Sequence, residues 1–216
     1  MLEFLERAVP APPGVPDIDG ATSPIRAVTR QVAFEPGGWT PERAAKVGAL
    51  FDELAPAWNE RDDPARRDAL GDALDRGGPF DPEARCIEVG SGTGLFTRLL
   101  LDRFDEVIAV DLAFEMLRRA PDEPRAPRVR ADAARLPLPD ASAGAVALVN
   151  ALLFPQEVDR VVAPGGALVW VNTFGDRTPI HLPAGDVDRA LGGGWEGVAS
   201  EAGWGTWAVF RKPAAT

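Results

Sequence analysis

The chain has 216 residues, 45% of them hydrophobic and 26% charged, which suits one domain with a full core. A formal charge of −10 repels nucleic-acid backbones and anionic membrane surfaces, and no apolar run is long enough to span a bilayer. A single cysteine, a single histidine and no tyrosine exclude a disulfide framework, the usual Cys/His zinc site and any scheme with a Tyr base.

The chain opens on an apolar turn, Leu2, Phe4 and Leu5, which could cap a sheet or a partner chain. Glu3 and Glu6 interrupt it, so it does not read as a secretory signal, and the cytoplasm is the expected compartment. Residues 9–41 are rich in Pro and Gly and read as an extended arm or lid, not one regular element. Thr40 then suits an N-cap with Pro41 at the first helical position. Val47, Leu50, Leu54 and Trp58 follow at helical spacing, with a kink at Pro56. A second helix over residues 65–76 ends at Gly77 and Gly78. Residues 1–79 thus read as an N-terminal arm and helical cap without independent standing, and residues 80–216 as the core.

From residue 84 strands and helices alternate: "ARCIEV", "GLFTRLLLDRF", "EVIAVD", "LAFEMLRRA", "PRVRAD", "AGAVALVN", "QEVDRVV" and, after an "APGG" turn, "ALVWVN". This order predicts an α/β fold, a doubly wound, mostly parallel sheet with right-handed crossovers. Residues 193–212 add a C-terminal antiparallel hairpin, where Trp195, Trp204 and Trp207 pack. Cys86 reads as a small core residue of the first strand.

In such a sheet ligands bind at the C-terminal strand ends, beside the switch in strand order. The loop "GSGTG" lies there. Its glycines, Gly90, Gly92 and Gly94, allow sharp turning and close approach to a ligand. Leu95 stands where a dinucleotide loop needs its third glycine, and a P-loop's Lys-Ser/Thr is missing, so neither ligand class fits. Asp111 ends the second strand, where a carboxylate can accept both ribose hydroxyls. Asp132 ends the third and can accept from an exocyclic adenine amine, with a backbone amide near Ala133 reading a ring nitrogen. Glu88 either orders the loop's amides or attracts an ammonium group. Both aspartates could also be solvated strand ends. The set suggests ribose, adenine and a zwitterionic tail, without pyrophosphate.

The segments "CIEVGSGTG", "VIAVDLAFEML", "RADAARLPLPDAS", "AVALVNALL" and "EVDRVVAPGGALVWV", in this order over residues 83–172, resemble the class I methyltransferases that use S-adenosylmethionine. The resemblance implies a Rossmann-like core and that cofactor. It implies Gly90, Ser91, Gly92, Thr93 and Gly94 around the methionine and ribose part, and Asp111 on the ribose with Leu112 and Met116 following. It implies Asp132 and Ala133 at the adenine, Glu88 below the loop, and Asn150 beside the methyl donor. "LAFEML" and "GALFDELAPAWN" are similar to the subgroup that includes quinone-biosynthesis methyltransferases. Trp58-Asn59 replaces that subgroup's Tyr-Asp, which puts the covering role of Trp58 in doubt.

A sulfonium methyl is already activated, so in-line alignment and exclusion of water dominate the chemistry. His181 is the candidate base by its ordinary pKa, against a plain loop-residue reading, and Asn150 is a positioning group. Phe34, Trp39, Trp58, residues 152–154 and residues 173–181 can wall a site for a small organic acceptor at oxygen, nitrogen or carbon. Trp39 could equally pack the arm onto the core, and Trp170 reads as core. The alternatives are a methyltransferase-like binding module without turnover, or an enzyme acting on protein or RNA. The sequence leaves oligomeric state open, and it carries no metal motif.

Overall fold

The computed structural model describes residues 1–14 and 18–215. The arm expected over residues 9–41 includes Val15, Pro16 and Asp17, which lie outside the described residues.

The chain begins with strand β1 (Leu2–Phe4) and continues through helices α1 (Pro24–Phe34) and α2 (Pro41–Leu54), a 3₁₀ stretch over Ala55–Arg61, a 3₁₀ turn at Pro64–Arg66 and α3 (Asp68–Arg76). Then come β2 (Cys86–Val89), α4 (Thr97–Leu101), β3 (Val107–Asp111), α5 (Phe114–Arg119), β4 (Arg128–Arg130) and β5 (Ala143–Val149). The last elements are α6 (Pro155–Val161), β6 (Val162–Asn172), α7 (Ala184–Ala190), β7 (Glu196–Ala202) and β8 (Gly205–Arg211). The strands form a single eight-stranded sheet in the order β1-β7-β8-β6-β5-β2-β3-β4. Only β8 runs against its neighbours. This is the doubly wound sheet with a terminal hairpin expected from the sequence. Strand order switches between β2 and β5, which pair in parallel.

Period-two alternation sorts side chains onto the two faces. Val146, Leu148, Leu168, Trp170, Ala208 and Phe210 pack on one side, beneath α6 and α7. Ala145, Ala147, Val149, Val169, Val171, Trp207 and Val209 pack on the other, beneath α3 and α4. Cys86 is fully buried in the second layer. Trp170 is buried in the first, its indole N–H donating to the Leu182 carbonyl at 3.0 Å.

The Pro/Gly-rich region before Thr40 is not wholly extended, because α1 stands inside it. Pro24 sits at the start of that helix, where its missing N–H costs nothing. Thr29, Val32 and Ala33 give it a buried face, and Gly37 takes φ +76° just beyond its end. The breaker residues therefore bracket a helix. Thr40 caps α2 as expected, its hydroxyl accepting from the Arg43 N–H at 3.2 Å. Gly77 does end α3, but with φ −85° it is not left-handed. A Cβ there would lie 2.3 Å from Val209 Cγ2, so close packing of the helix end on β8 is what demands glycine. "APGG" is not a turn before β6 but an irregularity within it: pairing steps from Ala143–Val162 to Ala145–Ala167. The apolar start of the chain is an edge strand, β1 pairing in parallel with β7, and Phe4 remains exposed.

Candidate functional site

The loop between β2 and α4 runs left-handed at Gly90, Gly92 and Gly94, with φ of 74°, 57° and 80°. A side chain at any of them would be strained, and a Cβ on Gly90 would also press to 2.9 Å from Ala151 Cβ. The Gly90 and Ser91 N–H groups donate to the Val110 carbonyl at 2.8 and 3.0 Å, fastening the loop to β3.

Asp111 takes the next amide. Its Oδ2 accepts from the Gly92 N–H and its Oδ1 from the Ala113 N–H, each at 2.8 Å. Burial raises its pKa, and the Ala113, Gly92 and Leu112 N–H groups offset only part of that rise. A carboxylate offers about four lone-pair sites, so about two remain for a ligand. Glu88 lies deeper, only 2% exposed, and accepts from the Thr97 hydroxyl at the start of α4. Burial pushes its pKa up to about 8, with the Asp111 charge adding and the Thr97 bond opposing. Glu88 thus touches the loop region through Thr97, while Asp111 supplies the amide contact foreseen for Glu88.

Asp132 follows β4. Its Oδ1 accepts from the Ala134 N–H at 2.9 Å. Both its oxygens also accept from the Trp39 indole N–H, at 3.0 and 2.9 Å. Trp39 meets Phe154 edge-on, with centroids 5.3 Å apart.

Trp58 reaches over the glycine loop, its indole nitrogen 3.6 Å from where a Gly92 Cβ would stand. Phe51 supports it edge-on at 5.7 Å. The neighbouring Asn59 Oδ1 accepts from the Thr93 hydroxyl at 2.5 Å. The Trp-Asn pair thus pins the loop by a hydrogen bond.

These groups surround one cavity of about 880 Å³. Gly90, Ser91, Gly92, Asp111, Leu112, Met116, Asp132, Ala133 and Asn150 all line it. Glu88, Thr93, Gly94 and His181 do not. The Ser91 hydroxyl is buried without a hydrogen-bond partner. Asn150 has φ +52° at the end of β5, which an Asn tolerates better than most residues. Its side chain is committed to Thr173, donating to the hydroxyl and accepting from the N–H, both at 2.9 Å. It therefore locks the end of β5 to the end of β6. His181 Nδ1 instead lies 3.4 Å from the Arg26 guanidinium, and its pKa is lowered by burial and then by that charge. The expected walls Trp39, Trp58, Leu152 and Phe154 face the cavity, whereas Phe34 packs under Arg30 and Arg189. Ile25, Arg66 and Phe174 also line it. Arg66 falls in the helix expected over residues 65–76 but stands in a 3₁₀ turn before it, and nothing in "RDDPARRD" singles it out for burial.

The family described as "Methyltransferase domain" matches residues 87–170, the segment holding the glycine loop and both aspartates. Residues 87–170 are a methyltransferase domain. The domain's relatives include a malonyl-[acyl-carrier protein] O-methyltransferase from Enterobacter lignolyticus, 32% identical over 62% of this chain and 55% of that protein. One of the same name from Methylococcus capsulatus is 34% identical over 47% of this chain and 41% of that protein. The chain thus spans about half the length of the curated relatives it matches. In structure, the chain superposes on the DhpI–SAH complex with a TM-score of 0.65, at 21% identity, over 79% of this chain and 97% of that one. That likeness confirms the Rossmann-like fold.

Proposed function

We propose that the protein transfers a methyl group from S-adenosylmethionine to a small organic molecule. The observation that carries this reading is the alignment of Ser91, Asp111 and Asp132 at three adjacent strand ends of a single cavity. Asp111 offers two open acceptor positions, as many as a ribose has hydroxyls. Asp132 and Ala133 stand further along for adenine. The unpartnered Ser91 hydroxyl fits a polar group of the methionine end. Leu112, Met116 and Trp58 supply apolar cover.

When bound, the cofactor supplies a methyl group on a positively charged sulfur, ready for displacement. The chain's own task is then to orient the acceptor and exclude water. The Asn150–Thr173 lock fixes the strand ends beside the acceptor space. Trp39, Phe154 and Phe174 line the cavity with aromatic surface. The described lining contains no His, Cys, Lys or Tyr. An acceptor already nucleophilic at neutral pH needs no such base. A cavity of about 880 Å³ lies near the top of the range for drug-sized ligands, which is consistent with cofactor and a small acceptor together. The relatives named for malonyl-acyl carrier protein support an acceptor of modest size at the reacting end.

The test is a screen of carboxylic acids, phenols, amines and quinone precursors for release of S-adenosylhomocysteine. Turnover on at least one class is expected. Cofactor binding with no turnover across a broad panel would point to a binding module instead.

A further inference from the structure

Helix α2 and the 3₁₀ stretch after it form one wall of the cavity, through Val47, Leu50, Phe51, Leu54 and Trp58. Among the described residues, two hydrogen bonds join this wall to the sheet and its loops. Asp52 Oδ1 accepts from the Glu115 N–H, in the first turn of α5, at 2.7 Å. Asn59 Oδ1 accepts from the Thr93 hydroxyl, in the glycine loop, at 2.5 Å. Neither Asp52 nor Asn59 lines the cavity, so neither meets a ligand there.

Each anchor fills a gap in the element it reaches. Helix α5 has Ala113 at its N-cap, and an alanine offers no oxygen to the open N–H groups of the first turn. The Ala113 N–H itself goes to Asp111, and Asp52 supplies the missing acceptor from another helix. A carboxylate at that point also suits the positive end of the helix dipole. Thr93 is only 2% exposed, and a buried hydroxyl needs a partner. Asn59 provides it.

The two anchors stand seven residues apart, about two helical turns, which brings both to the same side of the chain. They reach two different loops, the one after β2 and the one after β3. Asp111 joins the same two loops, through the Gly92 and Ala113 N–H groups. The loops beside Asp111 are thus tied twice, once by Asp111 and once by residues 52–59. Between the anchors, Ala55 packs with Ala113 and Met116, and Trp58 stands over Gly92. Apolar contact is non-directional and lets a wall slide, whereas hydrogen bonds fix its register. A wall already in place costs a ligand less to order.

We propose that Asp52 and Asn59 are positioning residues for the cofactor, their two hydrogen bonds acting as one brace that seats Trp58 over the glycine loop. This rests on the function proposed above and adds two residues that act on the cofactor through others.

Calorimetry with S-adenosylhomocysteine tests the brace. Asp52→Ala and Asn59→Ala should each bind it roughly tenfold more weakly, as for loss of one organising hydrogen bond. One lost anchor already frees the stretch, so the double variant should stay within about threefold of the weaker single one, where independent effects would multiply to about a hundredfold. Asp52→Asn and Asn59→Asp keep an acceptor oxygen at each anchor and should bind within about threefold of the native protein. A thermal melt identifies any variant that fails to fold. Hydrogen exchange on the native protein needs no variant: S-adenosylhomocysteine should slow exchange at the Glu115 amide together with the glycine loop. Folded Ala variants that bind like the native protein would overturn the brace. So would losses that multiply in the double variant, conservative variants as weak as the Ala ones, or a Glu115 amide left unchanged while the glycine loop is protected. No binding by the folded native protein would overturn the function proposed above, and the brace with it.

Discussion

The indole N–H of Trp39 is shared between the two carboxylate oxygens of Asp132, at 3.0 and 2.9 Å. Under the proposed function this is the carboxylate that serves the adenine amine. Trp39 arrives from the loop between α1 and α2, so the segment before the core closes on the adenine end of the cavity. A ligand amine and the indole compete for the same lone pairs.

Trp39→Phe removes the competing donor and keeps a ring against Phe154. Hydrogen bonds to charged groups contribute about 1.5–3 kcal/mol, so S-adenosylhomocysteine should bind more tightly by about tenfold. Calorimetry on the two proteins measures this. Equal or weaker binding by the variant would show that the indole does not compete.

Glu88 makes stability depend on pH. Its folded pKa, about 8, stands above the ordinary 4.5, so the native state holds the proton more tightly than the unfolded chain does. The stabilisation is complete below the ordinary value and is lost as pH rises to about 8. The loss is on the order of a few kcal/mol. Glu88→Gln should therefore melt with a flatter pH profile and gain on the native protein between about pH 5 and about pH 9. Parallel melting curves for the two proteins across that range would rule this account out.

His181 is turned to Arg26 and does not line the cavity. Its replacement by Ala should leave turnover within about twofold, once an acceptor is in hand, since only groups that contact reacting atoms change the barrier strongly. A loss of a hundredfold or more, with the melting temperature unchanged, would restore it as a base.

The sheet was readable because its strands are short apolar runs parted by helices and turns, and because Gly90 follows β2, Asp111 ends β3 and Asn150 follows β5. Asp111 and Asp132 were readable for the same reason: strand ends announce themselves. Helix α1 was hidden because prolines and glycines at its borders resemble a continuous breaker region, while its buried face is only a few residues wide. Arg66 was hidden because three arginines and three aspartates stand within eight residues, and only tertiary packing under Phe96 and Phe174 selects one for burial. His181 drew attention by being the sole histidine, a fact about composition that carries no information on where the ring points. Asn150 was placed at the right strand end, but its side chain turned out to be spent on Thr173.

The central claim is that Asp111 joins the glycine loop to a ribose. Calorimetric titration of S-adenosylhomocysteine into the native protein and into Asp111→Ala tests it most directly. The variant loses the acceptor for the Gly92 and Ala113 N–H groups as well as the two positions for hydroxyls. The expected result is one-to-one binding to the native protein, weakened about a hundredfold or more in the folded variant. No binding by the folded native protein, or equal binding by both, would contradict the account.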